Sequence, residues 1–305
     1  MSAVVPAAVA AAPRPAPPRY PLLASFRRHR LAGAALCVLI AIILTAIFAN
    51  LITPQNPYNL AELDIMDSRM PPGTQSADGT TRYWLGTDEQ GRDMYSAILY
   101  GLRISLGVGV ISTLIALSLG MAIGVAAGYA GGWIDAVIMR IVDIQLSFPS
   151  ILIALVLLAV LGQGVDKIVI ALVTVQWAYY ARTVRGTALV ETRREYVDAA
   201  MCLAYSWWRI IYRHILPNCL PPLIVVATVQ VAHAIALEAT LSFLGLGMPI
   251  TSPSLGLLIA NGYAHLLSGK YWMSFFPGIA LLVTIVAINL VGDHLRDVLN
   301  PRLQT

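Results

Sequence analysis

Six stretches of this chain, at residues 31–52, 102–130, 147–161, 167–185, 222–246 and 275–292, are almost wholly apolar. That pattern limits the fold more than any other feature. About 20 helical residues cross the hydrocarbon core of a bilayer, and all but the stretch at 147–161 come near or exceed that length. The short one reaches it if the apolar residues 134–146 extend it, with Pro149 kinking the helix. The chain of 305 residues is 58% hydrophobic and 12% charged, more apolar than a soluble core of this size needs. Within lipid each backbone N–H and C=O must be satisfied inside its own segment, so the spans are helices. The expectation is an all-α polytopic membrane protein with six transmembrane helices.

Three parts follow in order. Residues 1–25 are rich in Ala and Pro and read as a disordered tail. Residues 26–100 hold the first transmembrane helix and a long external loop, and 101–305 form the main transmembrane domain. A cleavable signal is excluded, because the first apolar run begins after Arg27, Arg28, His29 and Arg30 and is of spanning length. With the N-terminus in the cytoplasm, 14 of the 20 Lys and Arg residues fall on inner segments and six on outer ones. Both termini are then cytoplasmic. The net charge of +4 reflects this topology and calls for no nucleic-acid partner. Cys37, Cys202 and Cys219 share no oxidising compartment and form no metal-ligand set, so neither a disulfide nor a bound metal is expected.

Between the fourth and fifth spans lies EYVDAAMCLAYSWWRIIYRHILPN, residues 195–218. Read as one helix it puts Val197, Met201, Ala204, Trp208 and Ile211 on one face, with Arg193, Arg194, Arg209 and Arg213 around it and Pro217 ending it. An amphipathic helix on the inner side either rests on lipid or fits a groove on a soluble partner. Its spacing favours the groove. Asp198-Ala199-Ala200, then Ala204, then Leu216-Pro217 resembles the coupling motif of bacterial ABC importer permeases: Glu-Ala-Ala, three residues, Gly, nine residues, Ile, one residue, Leu-Pro. Asp198 stands for the Glu, Ala204 for the Gly and His214 for the Ile. The run 209–218 is similar to the dipeptide, oligopeptide and nickel branch of that family. So are the strings at 84–93, 101–106, 140–149, 238–247 and 289–302, in the same order.

This resemblance, to the second, C-type permease subunit of that branch, implies the type I importer permease fold with a coupling helix at 195–217. Glu195, Asp198, Ala199, Ala200, Ala204, Arg209, Arg213, Leu216 and Pro217 would dock an ATPase, and a large side chain at Ala200 would block that contact. It further implies a second homologous permease completing the pore, two ATPase subunits and an external solute-binding protein, all against membrane lipid. ATP and Mg²⁺ belong to the ATPases. This chain lacks a phosphate-cradling loop, since Gly269-Lys270-Tyr271 has neither the preceding glycine nor the hydroxyl. The chain itself would bind no cofactor and catalyse nothing. Di- or oligopeptides are the implied substrate, with a nickel chelate or other small solute as the alternative on the same scaffold.

Polar residues inside the spans are functional candidates because burying them in lipid is costly. Gln145, Gln176, Gln230, His233 and Glu238 either line a path or gate, or bond neighbouring helices together. An ion-coupled secondary transporter built on His233 and Glu238 would need inverted repeats, and none is found. Gly120, Gly124, Gly128 and Gly132 form a stripe that lets helices approach closely, either inside this bundle or against another subunit. In the external loop, Gly86 and Gly91 permit tight turns, and Asp88, Arg92 and Asp93 are read as pairing with one another, the other loop acids as solvated. Residues 255–267 are too short to span and read as an external or re-entrant helix carrying Asn261 and His265. Asp293, Arg296 and Asp297 are expected to pair at the inner face.

Overall fold

The computed structural model describes residues 25–26, 29–59, 63–252 and 254–299. All but the last residue of the tail expected at 1–25 lies outside them, as does the end of the chain from 300 on. Among the described residues, nine helices of eight residues or more build the fold: α1 (Arg30–Ile47), α2 (Met94–Ala130), α3 (Gly132–Ser147), α4 (Ser150–Leu161), α5 (Val165–Glu191), α6 (Glu195–Cys202), α7 (Trp207–Phe243), α8 (Leu255–Tyr263) and α9 (Trp272–Leu299). Helices α1, α2, α7 and α9 are long and apolar enough to cross a membrane, and α3 with α4 make a fifth span if counted as one. The stretch expected at 167–185 is helical throughout, within the longer α5, which also carries Asp166, Lys167, Arg182, Arg185 and Glu191.

The bundle is organised on α2 and α5, its most extensive helix pair. Their approach is set by the glycine stripe. A Cβ on Gly120 or Gly124 would stand 2.5 Å from the carbonyl oxygens of Trp177 and Ala181, and one on Gly128 would stand 2.8 Å from the Cβ of Ala188. The interface is therefore internal to this chain, which decides between the two readings of the stripe. Gly132 plays a different part. With Gly131 it takes a positive φ (+62° and +54°), a conformation glycine adopts without steric cost, and the two reverse the chain between α2 and α3. At Phe148-Pro149 the chain turns by 88° between α3 and α4, a much sharper break than the kink expected of Pro149.

In the loop between α1 and α2, Asp64 and Asp78 are exposed as expected, but Asp67 is buried and helps to order the loop. A short hairpin pairs β1 (Thr74–Gln75) with β2 (Arg82–Tyr83). Asp67, buried behind it, accepts from the Tyr83 hydroxyl at 2.7 Å and from the Ala77 N–H at 2.8 Å. Gly86 and Gly91 take the positive φ expected of them. Asp88 accepts from the Arg92 backbone at 2.9 Å and lies 3.8 Å from its guanidinium. Asp93 does not join that pair; it caps α2 instead, accepting from the Ser96 N–H at 3.0 Å. Arg92 reaches across to donate to the Ile250 carbonyl at 2.9 Å, and Trp272 donates to the Thr87 carbonyl at 3.1 Å. Glu89 meets His265, just past α8. The outer loop and the α8 region thus close into one cap. At the opposite end, no ion pair joins Asp293, Arg296 and Asp297 among the described residues, contrary to expectation.

Candidate functional site

Residues 195–218 do not form one helix. Helix α6 ends at Cys202, a turn follows, and α7 begins at Trp207. The reason is Ala204, whose φ of +54° is left-handed and cannot continue a right-handed helix. Glycine takes that conformation without the Cβ clash, so a glycine preference at this place in the motif has a steric basis. Pro217 does not end the segment either. Just before it, the Leu216 N–H bonds to the Ile211 carbonyl, a five-residue step that widens the turn at Ile211–Ile215. The helix then runs on through Pro217, Pro221 and Pro222 to Phe243.

Breaking the helix changes which residues face outward. Val197 and Ala200 are buried with Ile210, Ile211 and Ile215 against Val125 of α2 and Tyr180, Val184 and Ala188 of α5. Met201, Ala204 and Trp208, expected beside Val197 on one face, are exposed instead. Ala200, expected to fit a partner's groove, is thus part of this chain's own core. The exposed tip consists of Glu195, Asp198, Ala199, Met201, Leu203 and Ala204, with Leu203 67% exposed.

A polar and aromatic base holds the tip. Tyr196 donates to Glu191 and accepts from Asn218 Nδ2 at 3.0 Å, and Asn218 also donates to the His214 carbonyl at 2.7 Å. Burial and the neighbouring Glu191 carboxylate push the Tyr196 phenol pKa up. Tyr205 stacks near His214, ring centroids 6.4 Å apart, and the Arg209 guanidinium lies 4.3 Å over the Tyr205 ring. Trp207, Trp208 and Tyr212 form an exposed stack outside it. Arg213, Leu216 and Pro217 belong to the base and the start of the long helix, away from the tip. Next to this base, Arg185 forms a two-pronged pair with Asp135 at 2.6 and 2.9 Å, and Arg182 pairs with Asp143, tying α3 to α5.

The intramembrane polar residues do not converge on one chamber. Gln145 donates to the Thr174 carbonyl of α5. Gln176 is fully buried and accepts from Thr113 at 3.4 Å. Glu238, also fully buried, accepts from Ser105 and Ser242 at 2.8 Å each, joining α2 to α7. These three bond helices together within this chain. His233 is exposed and shares no bond with Glu238. Gln230 is buried, with no partner for its Nε2. The contacts that fasten the outer cap, Arg92 to Ile250 and Glu89 to His265, join residues far apart in sequence, and no local pattern signals them. Among the described residues no group of His, Cys, Asp and Glu could hold a metal ion.

A bundle of long apolar helices, bonded internally and carrying one exposed polar-based tip, is the architecture of a multi-pass membrane protein. The chain belongs to the family of binding-protein-dependent transport system inner membrane components, whose pattern matches residues 120–305. Residues 22–72 match the N-terminal transmembrane domain of oligopeptide transport permease C. The dipeptide transport system permease protein DppC of Escherichia coli is 40% identical over 304 residues, covering 100% of both chains. The glutathione transport system permease protein GsiD of Pectobacterium atrosepticum is 35% identical over 280 residues, 92% of this chain and 90% of that protein. Among solved structures, a chain of the inward-facing MetNI methionine ABC transporter superposes with a TM-score of 0.56 at 18% identity, covering 68% of this chain and 98% of that one. That likeness supports the permease fold of an ABC importer.

Proposed function

We propose that this chain forms half of the pore of an ATP-driven importer of di- or oligopeptides, beside a second homologous permease. Two ATPase subunits hydrolyse ATP with Mg²⁺, and an external binding protein delivers the substrate. The N- and C-termini and the tip face the cytoplasm, in keeping with the charge distribution along the chain. Peptide as the substrate rests on the full-length relationship to a dipeptide system permease. The single observation that carries the mechanism is the short helix α6, fixed at its base by the bundle and open along Asp198, Ala199 and Leu203. A docked ATPase grips this tip. Because the base is continuous with α7, movement of the tip shifts the pore helix. The tip must make different contacts with the ATPase in its two states, or ATP could not change the pore.

The test replaces Ala199 and Leu203 singly with arginine. Both are exposed, so the bundle is untouched, whereas Ala200→Arg would disrupt this chain's own core and is uninformative. Loss of ATPase co-purification and of labelled dipeptide uptake, with normal membrane levels of the variant, is the expected result. Full co-purification of both variants would remove the docking assignment. Intact uptake of a nickel chelate with no uptake of peptide by the wild-type complex would change the substrate alone.

A further inference from the structure

Between α7 and α9, where α9 ends, lies an open cleft of about 650 Å³. Its walls include Pro222, Val225 and Val229, with Asn218 and Arg296 also lining it, and Gln230. Two of its polar groups have nothing to bond. Gln230 is only 9% exposed and its Nε2 has no partner. Arg296 is exposed and makes no ion pair with any described residue. Asn218 spends both amide hydrogens on Tyr196 and the His214 carbonyl, which leaves its oxygen as an acceptor. The two long helices run antiparallel, with Gly292 against Thr228 and Ile288 clustered with Ala232 and Ile235. Arg296, one turn beyond Gly292, is therefore level with about residue 224. Gln230 sits about six residues, or roughly 9 Å, deeper.

The cleft thus offers a cation at one level, an apolar trough, and an unsatisfied N–H donor further in. We infer that this cleft binds one anionic glycerophospholipid, its phosphate on Arg296, its acyl chains along Pro222, Val225 and Val229, and an ester carbonyl accepting from Gln230. A glycerol hydroxyl of the headgroup would reach the Asn218 oxygen. The chemistry discriminates against a peptide. Every peptide residue brings an N–H, and proline and valine walls have no acceptor for it. A phospholipid carries acceptors where this cleft has donors and hydrocarbon where it has none. Basic groups between helices at a membrane boundary suit anionic headgroups. Asp293 and Asp297 flank Arg296 on α9 without bonding it or lining the cleft, so affinity depends on the direct contact of Arg296 with phosphate. This inference rests on the membrane-spanning fold and is independent of the transported substrate.

The test is native mass spectrometry of the purified transporter complex in neutral detergent, titrated with phosphatidylglycerol or phosphatidylcholine. The wild-type complex should retain phosphatidylglycerol selectively. Loss of one charge-assisted hydrogen bond in Arg296→Gln should weaken retention about tenfold, and Gln230→Leu should weaken it severalfold. Arg140→Gln, an exposed arginine on α3 outside the cleft, should leave it unchanged. Equal retention by Arg296→Gln and Arg140→Gln would overturn the assignment. So would displacement of the lipid by glycerol phosphate, which would make this an anion site, or by a dipeptide, which would make the cleft part of the transport path.

Discussion

Replacing Gly124 with alanine tests whether the α2–α5 contact holds the bundle together. The added Cβ would stand 2.5 Å from the Ala181 carbonyl oxygen and 2.9 Å from the Val184 Cβ. A carbon needs about 3.3 Å from a carbonyl oxygen, so the helices must part by roughly 0.8 Å. A gap of that size forfeits a quarter to a half of each atomic contact, each worth about 0.1–0.2 kcal/mol. Over some tens of contacts along the stripe the loss is about 2–3 kcal/mol, at the upper end of usual overpacking costs. Alanine regains about 0.5–1 kcal/mol of helix propensity, so the net cost is about 1–2 kcal/mol. Gly107 lies on the same helix with nothing within 4 Å of its would-be Cβ, and Gly107→Ala should gain about 0.5–1 kcal/mol. Denaturant titration of both variants in detergent, followed by tryptophan fluorescence, measures the difference. If Gly124→Ala unfolds at the same midpoint as Gly107→Ala, the close approach of these helices is not what stabilises the fold.

Three further outcomes follow. Ala204→Gly relieves the left-handed alanine and should stabilise the tip by about 0.5–1 kcal/mol, read as slower local proteolysis between α6 and α7. Ser105→Ala should cost about 1 kcal/mol in the wild type but almost nothing in a Glu238→Leu background, and a double-mutant cycle with no coupling would refute the Glu238 bridge. Burial lifts the Asp88 pKa above the usual carboxylate range against the pull of Arg92. The folded loop therefore holds more protons than the unfolded one, and this contribution is full below a pH of about 4 and declines as pH rises through the raised value. Amide exchange across residues 85–95, corrected for its intrinsic rate, should slow as pH falls from neutral, and this trend should weaken in Asp88→Asn and vanish only when Asp93, whose pKa burial also raises, is replaced by Asn as well.

Much of this architecture is legible in the sequence because lipid leaves so few options. Apolar length located the four helices long and apolar enough to cross, α1, α2, α7 and α9, and the glycine spacing marked a close helix contact, although only the structure says that α5 lies on the other side. The same periodicity misled at 195–218. A 3.6-residue repeat passes through Ala204 unbroken, and nothing in the pattern reports that this one residue is left-handed. That error moved Ala200 from the core to the surface. Pro217 misled in the opposite sense, since a widened turn upstream absorbs the missing N–H. Sequence spacing gives no sign that Asp67 and Glu89 have partners, because Tyr83 and His265 reach them only in the folded cap. Glu238 was correctly marked as costly, and its serines at 105 and 242 show that the cost is met by hydrogen bonds.

The placement of prolines on α7 gives the molecule an uneven stiffness. Pro217, Pro221 and Pro222 each remove a backbone donor within two turns, while the helix beyond them is free of proline to Phe243. The compliant part sits beside the tip, and a rigid rod of about 24 Å leads from Pro222 to Glu238. Pivoting that rod by about 5° would carry Glu238 and the attached outer half of α2 sideways by about 2 Å. A small rotation at the base is thus amplified with distance and delivered at the far side of the membrane.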